Sequence, residues 1–387
     1  MSVMAGNLQR RKLYLHVGMQ KTGSSYLQHM LRLNAKVLDG LGVAYLNYSE
    51  EIVSSGNGDA LMKAAAGKGL PIPLEHYFGA HRTAIISSEL LYSVGHDWVK
   101  TFQAMRDLDV EVVLIAFFRD PLAYLLSAYS QNVSRHGYQH DFETFVLQLP
   151  VDLYIEPIRT MVDAAVATGV KVSWKLKNYD AWGDGLFKEF LALCELDAQC
   201  FQTTGPRLNA SLNADQLLVL RVYNSHFPQD ISSSLSQYLQ ANDLFAGGRP
   251  QAATPRARDM VREKYSLALH WINLRLSDPP LDIAEVPSQA PVSTFSMGES
   301  ELSKLMGFFA SGVNITKTME TYIERMMRRS SEVHVDVLRR YPDFDPVHYL
   351  VCNPDLVIAN VNPFQHFADH GAAEGRSYKL KLDPVGD

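Results

Sequence analysis

The stretch HVGMQKTGSS, residues 16–25, places two glycines, a lysine and several hydroxyls within ten positions. Gly18 and Gly23 keep the glycine spacing of the nucleoside-triphosphate loop G-x-x-x-x-G-K-[ST]. Ser24 stands where that motif has its lysine, and Lys21 comes earlier. The glycines let backbone approach an anion closely, Lys21 adds a mobile positive charge, and Thr22, Ser24 and Ser25 add hydroxyl donors. The displaced lysine suits a ligand whose terminal group carries fewer charges than a triphosphate. FFRDPLAYLLSAY supplies a second set, Arg119 and, eight positions on, Ser127. A guanidinium and a hydroxyl about two helical turns apart make another anion pocket. The plainer alternative is that Arg119 pairs with Asp120, and two anion pockets in one chain outweigh it. Hydrolysis of ATP or GTP calls for a lysine after Gly23 and an acidic Mg²⁺ ligand after a buried strand. The lysine is absent, and Arg119 precedes Asp120 where the acid would stand.

These residues need elements to hold them. KLYLHV (12–17) reads as a strand, and SSYLQHMLRLNAKVL (24–38) has apolar residues at helical spacing, so the loop joins strand to helix. That join points backbone N–H groups and a positive helix end at the ligand. VAYL (43–46) is a short strand; 48–73, rich in Gly, Ser and Ala, reads as loops with a short helix. TAIISSE (83–89) reads as a strand and polar turn, DWVKTFQAMRDL as a helix, and EVVLIAFF as a strand buried on both faces. DPLAYLLSAYSQNVSRHG opens with proline and closes with glycine, as a helix does. KVSWKLK (171–177) alternates as a strand. The fold class is α/β: a P-loop-type parallel sheet flanked by helices, with a helical C-terminal half and a small appended C-terminal module. Ligands of such sheets collect at the carboxyl ends of the strands.

From about Ala181 the helices dominate: DGLFKEFLALCEL, NADQLLVLRVYNSHF, SSSLSQYLQANDLF and RARDMVREKYSLALHWINLRL. The expected domain runs over 10–280, with a Pro/Ser-rich linker at 281–300. Residues 301–340 form an amphipathic helical segment, with Met319, Tyr322, Met326, Val333, Val337 and Tyr341 along one side. It reads as a helix packed on its own domain; peripheral membrane contact and a homodimer through this helix are the other partners it allows. In the module at 341–387, Phe344, Tyr349, Phe364 and Phe367 read as a small core and not as a sugar platform.

The chain has 387 residues, 47% hydrophobic and 20% charged, with net charge −6, which argues against bulk attraction to nucleic acid. Its three cysteines form no CxxC pair, so neither a disulfide framework nor a zinc site is expected, and no metal is called for. Cys194 in FLALCEL reads as a buried, inert thiol. No signal peptide or membrane-length apolar run occurs, which points to a cytoplasmic protein.

KLYLHVGMQKTGSSYLQ resembles the 5′-phosphosulfate loop of sulfotransferases that use 3′-phosphoadenosine 5′-phosphosulfate (PAPS), and AFFRDPLAYLLSAYSQ resembles their 3′-phosphate motif. The resemblance spans roughly residues 10 to 275 in order and pattern. It includes RLNASLN (207–213) and a late helix with N-L-R-L, and is nearest to bacterial members acting on carbohydrates. Ser24 and Ser25 stand where threonines are common, which keeps the hydroxyls. The resemblance implies that Lys21 contacts the bridging oxygen and stabilises the leaving phosphate. It implies that amides near Thr22 to Ser25 hold the 5′-phosphate, and that Arg119 and Ser127 hold the 3′-phosphate. The acceptor would be a hydroxyl or amine of a carbohydrate, in a bacterial polysaccharide or glycolipid, and the product nucleotide 3′-phosphoadenosine 5′-phosphate (PAP).

Such a reaction needs a base for the acceptor. Glu89, after the strand ending ISS, is the first candidate; its plainer role is to start a helix capped by Ser87 or Ser88. His16 is the second, against the commoner outcome of a core histidine. His96, Arg135 and His136 are expected along the acceptor cleft from position alone, and Arg249 in GGRPQ as a phosphate contact on a closing loop, against a plain surface turn. The tail FDPVHYLVCNPDL…NPFQHFADHGAAEGRS resembles a short module attached to bacterial glycosyltransferases. Two other classes remain open: a nucleotide kinase or NTPase with a variant loop, and a non-catalytic scaffold of the same fold.

Overall fold

In the computed structural model the described residues are 10–46, 56–65, 74–93, 95–204, 212–225, 229–242, 244–245, 252–284, 298, 304–305, 323, 331–353, 356, 361–376 and 378. Five parallel strands form one sheet among them: β1 (Arg11–Val17), β2 (Val43–Ala44), β3 (Thr83–Ser88), β4 (Val110–Phe118) and β5 (Val172–Asn178), in the order β2-β3-β1-β4-β5. The apolar run of β4 has the reason expected of it, since both faces of the sheet are covered. On one face Tyr14, Ile85, Val113, Ile115 and Phe117 pack against α1 (Ser24–Leu33) and α8 (Leu186–Leu193). On the other, Phe118 meets Tyr154 of α7 (Asp152–Thr168), which packs on α4 (Trp98–Asp107). Each such buried apolar side chain stabilises the fold by roughly 1.5–3 kcal/mol.

The helix expected over 24–38 is two helices, α1 and α2 (Ala35–Gly40), broken at Asn34. The Asn34 amide donates to the carbonyls of Met30 and Gln202 and accepts the Gln202 N–H, a tertiary clamp between residues distant in sequence. VAYL shortens to a two-residue strand, and α3 (Asp59–Ala65) is the short helix expected nearby. Beyond β2, Asn57 takes over as the edge partner of β3: it receives Ser87 N–H, gives its own N–H to Ser87 O and its amide to Ile85 O. Pro121 opens α5 (Pro121–His136) as expected. The crossover from β4 to β5 also contains α6 (Phe142–Gln148) and α7, which the sequence reading left unassigned.

The chain divides into two compact units: Met1–Ser127 with Phe142–Ala210 and Ala253–Ser288, and Ala128–Asp141 with Ser211–Ala252 and Gln289–Asp387. This differs from a single domain over 10–280. In the second unit α9 (Ala214–Asn224) packs on α10 (Gln229–Ala241), and Asn224 donates to the carbonyls of Val133 and Tyr138. In the first unit α11 (Pro255–Asn273) is followed by a packed strap, where a linker was expected from 281: Leu281 and Ile283 are buried.

The tail has its own small core. Asp345 caps α13 (Pro346–Cys352) and Asn362 caps α14 (Pro363–His366), each followed by proline at the first helical position. Phe344, Tyr349, Phe364 and Phe367 are all buried together with Val337 of α12 (Ser331–Arg340). They are core, as the sequence suggested. Met319, Tyr322 and Met326 lie outside the described residues.

Candidate functional site

The site is built where β1 and β4, adjacent in the sheet, end. The chain leaves β1 toward β2 on one side and leaves β4 toward β5 on the other, so a crevice opens between their carboxyl ends. The glycine-rich loop fills the β1 side. Gly18 N–H donates to Ser88 O at 3.1 Å, so this amide belongs to the sheet and not to a ligand. What Gly18 provides is closeness: a Cβ there would collide with the Ser24 hydroxyl. Lys21 and Gly23 both have left-handed backbones, φ 67° and 75°. Glycine adopts that conformation freely, whereas a lysine there costs about 1–2 kcal/mol.

The hydroxyls divide differently from expectation. Thr22 is fully buried and its Oγ1 donates to Met19 O at 2.6 Å; Ser24, also buried, donates to the same carbonyl at 3.4 Å. These two shape the loop from inside, and Ser25, half-buried in the first turn of α1, is the hydroxyl nearest solvent. Helix α1 carries no side-chain cap and no acidic residue in its first turn. Its first-turn N–H groups have no intrahelical acceptors, so this helix end favours an anion.

Arg119 bounds the other side. Its Nη1 donates to Lys21 O at 3.4 Å, its Nε lies 3.3 Å from Asp180 Oδ1, and its Cζ stands 5.5 Å from the Tyr179 ring centre. The side chain remains 27% exposed, so part of the guanidinium still faces outward. Tyr154 donates to Arg119 O at 2.6 Å and fixes its backbone. The Arg119–Asp120 pairing considered from sequence does not form. Asp120 Oδ1 accepts Leu122 N–H at the start of α5 and Oδ2 accepts Ala284 N–H from the strap; burial pushes its pKa upward. Asp180 Oδ2 accepts Asp120 N–H at 2.7 Å. Ser127 lies on the half-buried stripe of α5 with Ala123 and Ser130.

Tyr179 and Asp180 are site residues the sequence reading missed. A Cβ on Gly23 would press on Leu186 and lie 3.2 Å from the Tyr179 ring, so that ring stands between loop and Arg119. The available signal was position alone, since both follow β5 at its carboxyl end.

The base candidates separate. Glu89, half-buried, begins a 3-10 turn in which Ser88 Oγ accepts Leu90 N–H, the capping role foreseen for it, at the carboxyl end of β3 beside the loop. His16 is wholly buried, its Nδ1 2.8 Å from Ser87 Oγ, and desolvation lowers its pKa to about 3. It lies in the core beneath the loop and not at the surface where an acceptor would bind. His96 sits between the Glu89 turn and α4, its pKa lowered by burial. Arg135 and His136 occupy the last turn of α5. Arg249 and RLNAS (207–211) lie outside the described residues. Cys194 is buried, which pushes its thiol pKa well up. Among the described residues no cluster of three or more His, Cys, Asp or Glu side chains could hold a metal, and no helix is long and apolar enough to cross a membrane.

Comparison with protein-family models, with curated proteins and with solved structures returns no match.

Proposed function

We propose that this protein is a PAPS-dependent sulfotransferase that moves a sulfuryl group to a hydroxyl or amine of a carbohydrate, in a bacterial polysaccharide or glycolipid. The observation that carries this reading is the union of two anion-binding ends at neighbouring strands: the uncapped α1 terminus with Lys21, and Arg119, which reaches Lys21 O at 3.4 Å. PAPS bears anionic groups at the 5′ and 3′ oxygens of one ribose, which matches two neighbouring cationic ends, and the Tyr179 ring beside Arg119 suits its adenine. The donor supplies the sulfuryl group and leaves as PAP.

In this reading the N–H groups of Thr22 to Ser25 bind the 5′-phosphate and Lys21 stabilises charge that develops on the leaving oxygen. Arg119 and Ser127 hold the 3′-phosphate, and Tyr179 offers a face to the base. Glu89 takes the acceptor proton. The strain at Lys21 fits a side chain kept for its charge, since glycine would hold the same backbone without it. The carboxylates after β4 and β5 do not suit a Mg²⁺ site of a kinase: Asp120 is occupied by Leu122 and Ala284, and Asp180 by Arg119 and Asp120.

Calorimetric titration with PAP, and separately with ATP and Mg²⁺, tests this. PAP is expected to bind, Arg119→Ala to weaken it about 30-fold or more through loss of a charge-assisted contact, and Lys21→Gly to weaken it while leaving the fold at least as stable. Binding of ATP–Mg²⁺ without PAP overturns the proposal in favour of a kinase. PAP binding without sulfuryl transfer to any glycan leaves a scaffold.

A further inference from the structure

His16 is an expensive residue for its place. It lies two positions before Gly18 on the central strand, fully buried, in T-shaped contact with Phe117 and Phe190 at ring-centre distances of 5.9 and 5.5 Å. Its Nδ1 has Ser87 Oγ at 2.8 Å, but its Nε2 is buried with no partner. A stranded buried ring nitrogen costs about 1–3 kcal/mol, which an apolar side chain would avoid. Packing alone therefore does not account for an imidazole here.

Its surroundings suggest what does. The ring's Cε1 lies 3.4 Å from where a Cβ on Gly18 would stand, and the Ser24 hydroxyl borders the same small space. The imidazole edge thus lies against the turn from β1 into the loop. At its other end, Ser87 is held by its backbone: Asn57 binds both its N–H and its carbonyl. The next residue, Ser88, receives Gly18 N–H on its carbonyl and caps the turn that starts at Glu89.

From this geometry we infer that His16 and Ser87 are a positioning pair, which ties the glycine-rich loop to the end of β3 and sets it against the Glu89 turn. The loop residues that would hold the donor and the residue that would take the acceptor proton are then referenced to one buried hydrogen bond. An in-line transfer is sensitive to ångström-scale misplacement, so such a reference matters for rate and affinity. This deepens the proposed function and, for its consequence in ligand binding, rests on it. Burial keeps the ring uncharged at ordinary pH, so the bond does not alternate with a charged form.

The test compares Ser87→Thr with Ser87→Val in the full-length protein, because the two differ by a hydroxyl at nearly equal volume. His16→Phe and the double variant with Ser87→Val complete a cycle. Deuterium uptake across residues 18–25 is measured without ligand, and PAP affinity by calorimetry. Ser87→Val and His16→Phe are each expected to speed loop exchange and weaken PAP about tenfold relative to Ser87→Thr, with no further loss in the double variant. Equal behaviour of the Thr and Val variants, or fully additive losses, overturns the pair. If the wild-type protein fails to bind PAP, the sulfotransferase reading falls, while the uptake measurement still decides the role of the pair. If His16→Phe does not fold, the Thr/Val comparison decides alone.

Discussion

The imidazole of His16 couples the loop region to pH through the fold. Its folded pKa, about 3, lies below the ordinary 6.5, so between those values the unfolded chain binds a proton that the folded chain refuses. The stability tied to neutral His16 is therefore complete above pH 6.5 and is lost as pH falls toward 3. Between pH 7 and 5 the wild-type protein should lose about 2 kcal/mol more than His16→Phe in urea unfolding. Parallel curves for the two proteins would mean that His16 is hydrated and titrates normally. At this scale much of the candidate site's geometry was legible. Lys21, Gly23 and Arg119 announced themselves by type and spacing. The inward turn of the Thr22 and Ser24 hydroxyls did not, because their acceptor is a backbone carbonyl, which carries no residue signature. Tyr179 and Asp180 were hidden for a related reason, being placed by the register of β5 and not by a local motif.

The strap after α11 shows how an element can hold a site without touching a ligand. Asp278, 6% exposed, accepts Lys177 Nζ at 2.8 Å, Asn178 N–H at 3.0 Å and Trp182 Nε1–H at 3.3 Å. Asn178 Nδ2 donates to Pro279 O, and Asn273 exchanges two hydrogen bonds with Leu281. The strap then reaches Asp120 through Ala284 N–H, next to Arg119. Removing Asp278 strands the Asn178 and Trp182 donors at the outer edge of β5, the strand that delivers Tyr179 and Asp180, and leaves Lys177 with Glu189 alone, at 2.9 Å. Asp278→Ala should cost about 3 kcal/mol in denaturant unfolding. Asp107→Ala, at an exposed pair with Arg106, should cost less than about 1 kcal/mol. Equal costs would show that Asp278 is no anchor. Strands and long helices with one apolar stripe were readable because their burial is periodic. The break at Asn34 and the strap were not, since both depend on partners far away in the chain.

Across the whole molecule, the order β2-β3-β1-β4-β5 makes the site, by bringing the loop after β1 and the arginine after β4 to one crevice. Alternation of strands and helices foretold a parallel sheet, but strand order follows from long-range packing that no single window contains. The C-terminal segment obeys a more local logic, with acid- or amide-capped prolines starting short helices around aromatic residues, and its buried cluster was visible in sequence. That core shares no residue with the cluster under α1 and α8. Phe344 lies at its centre, with ring centres of Tyr349, Phe364 and Phe367 at 5.3, 5.4 and 4.5 Å. Phe344→Ala should destabilise this cluster by about 3–5 kcal/mol, seen as faster deuterium uptake over 331–353 and 361–376. If the two cores are thermodynamically separate, uptake in β1 and β4 and affinity for PAP stay at wild-type values. Uptake that rises in both cores together would instead make the two clusters one cooperative unit, because one cooperative transition cannot be weakened in only half of its residues.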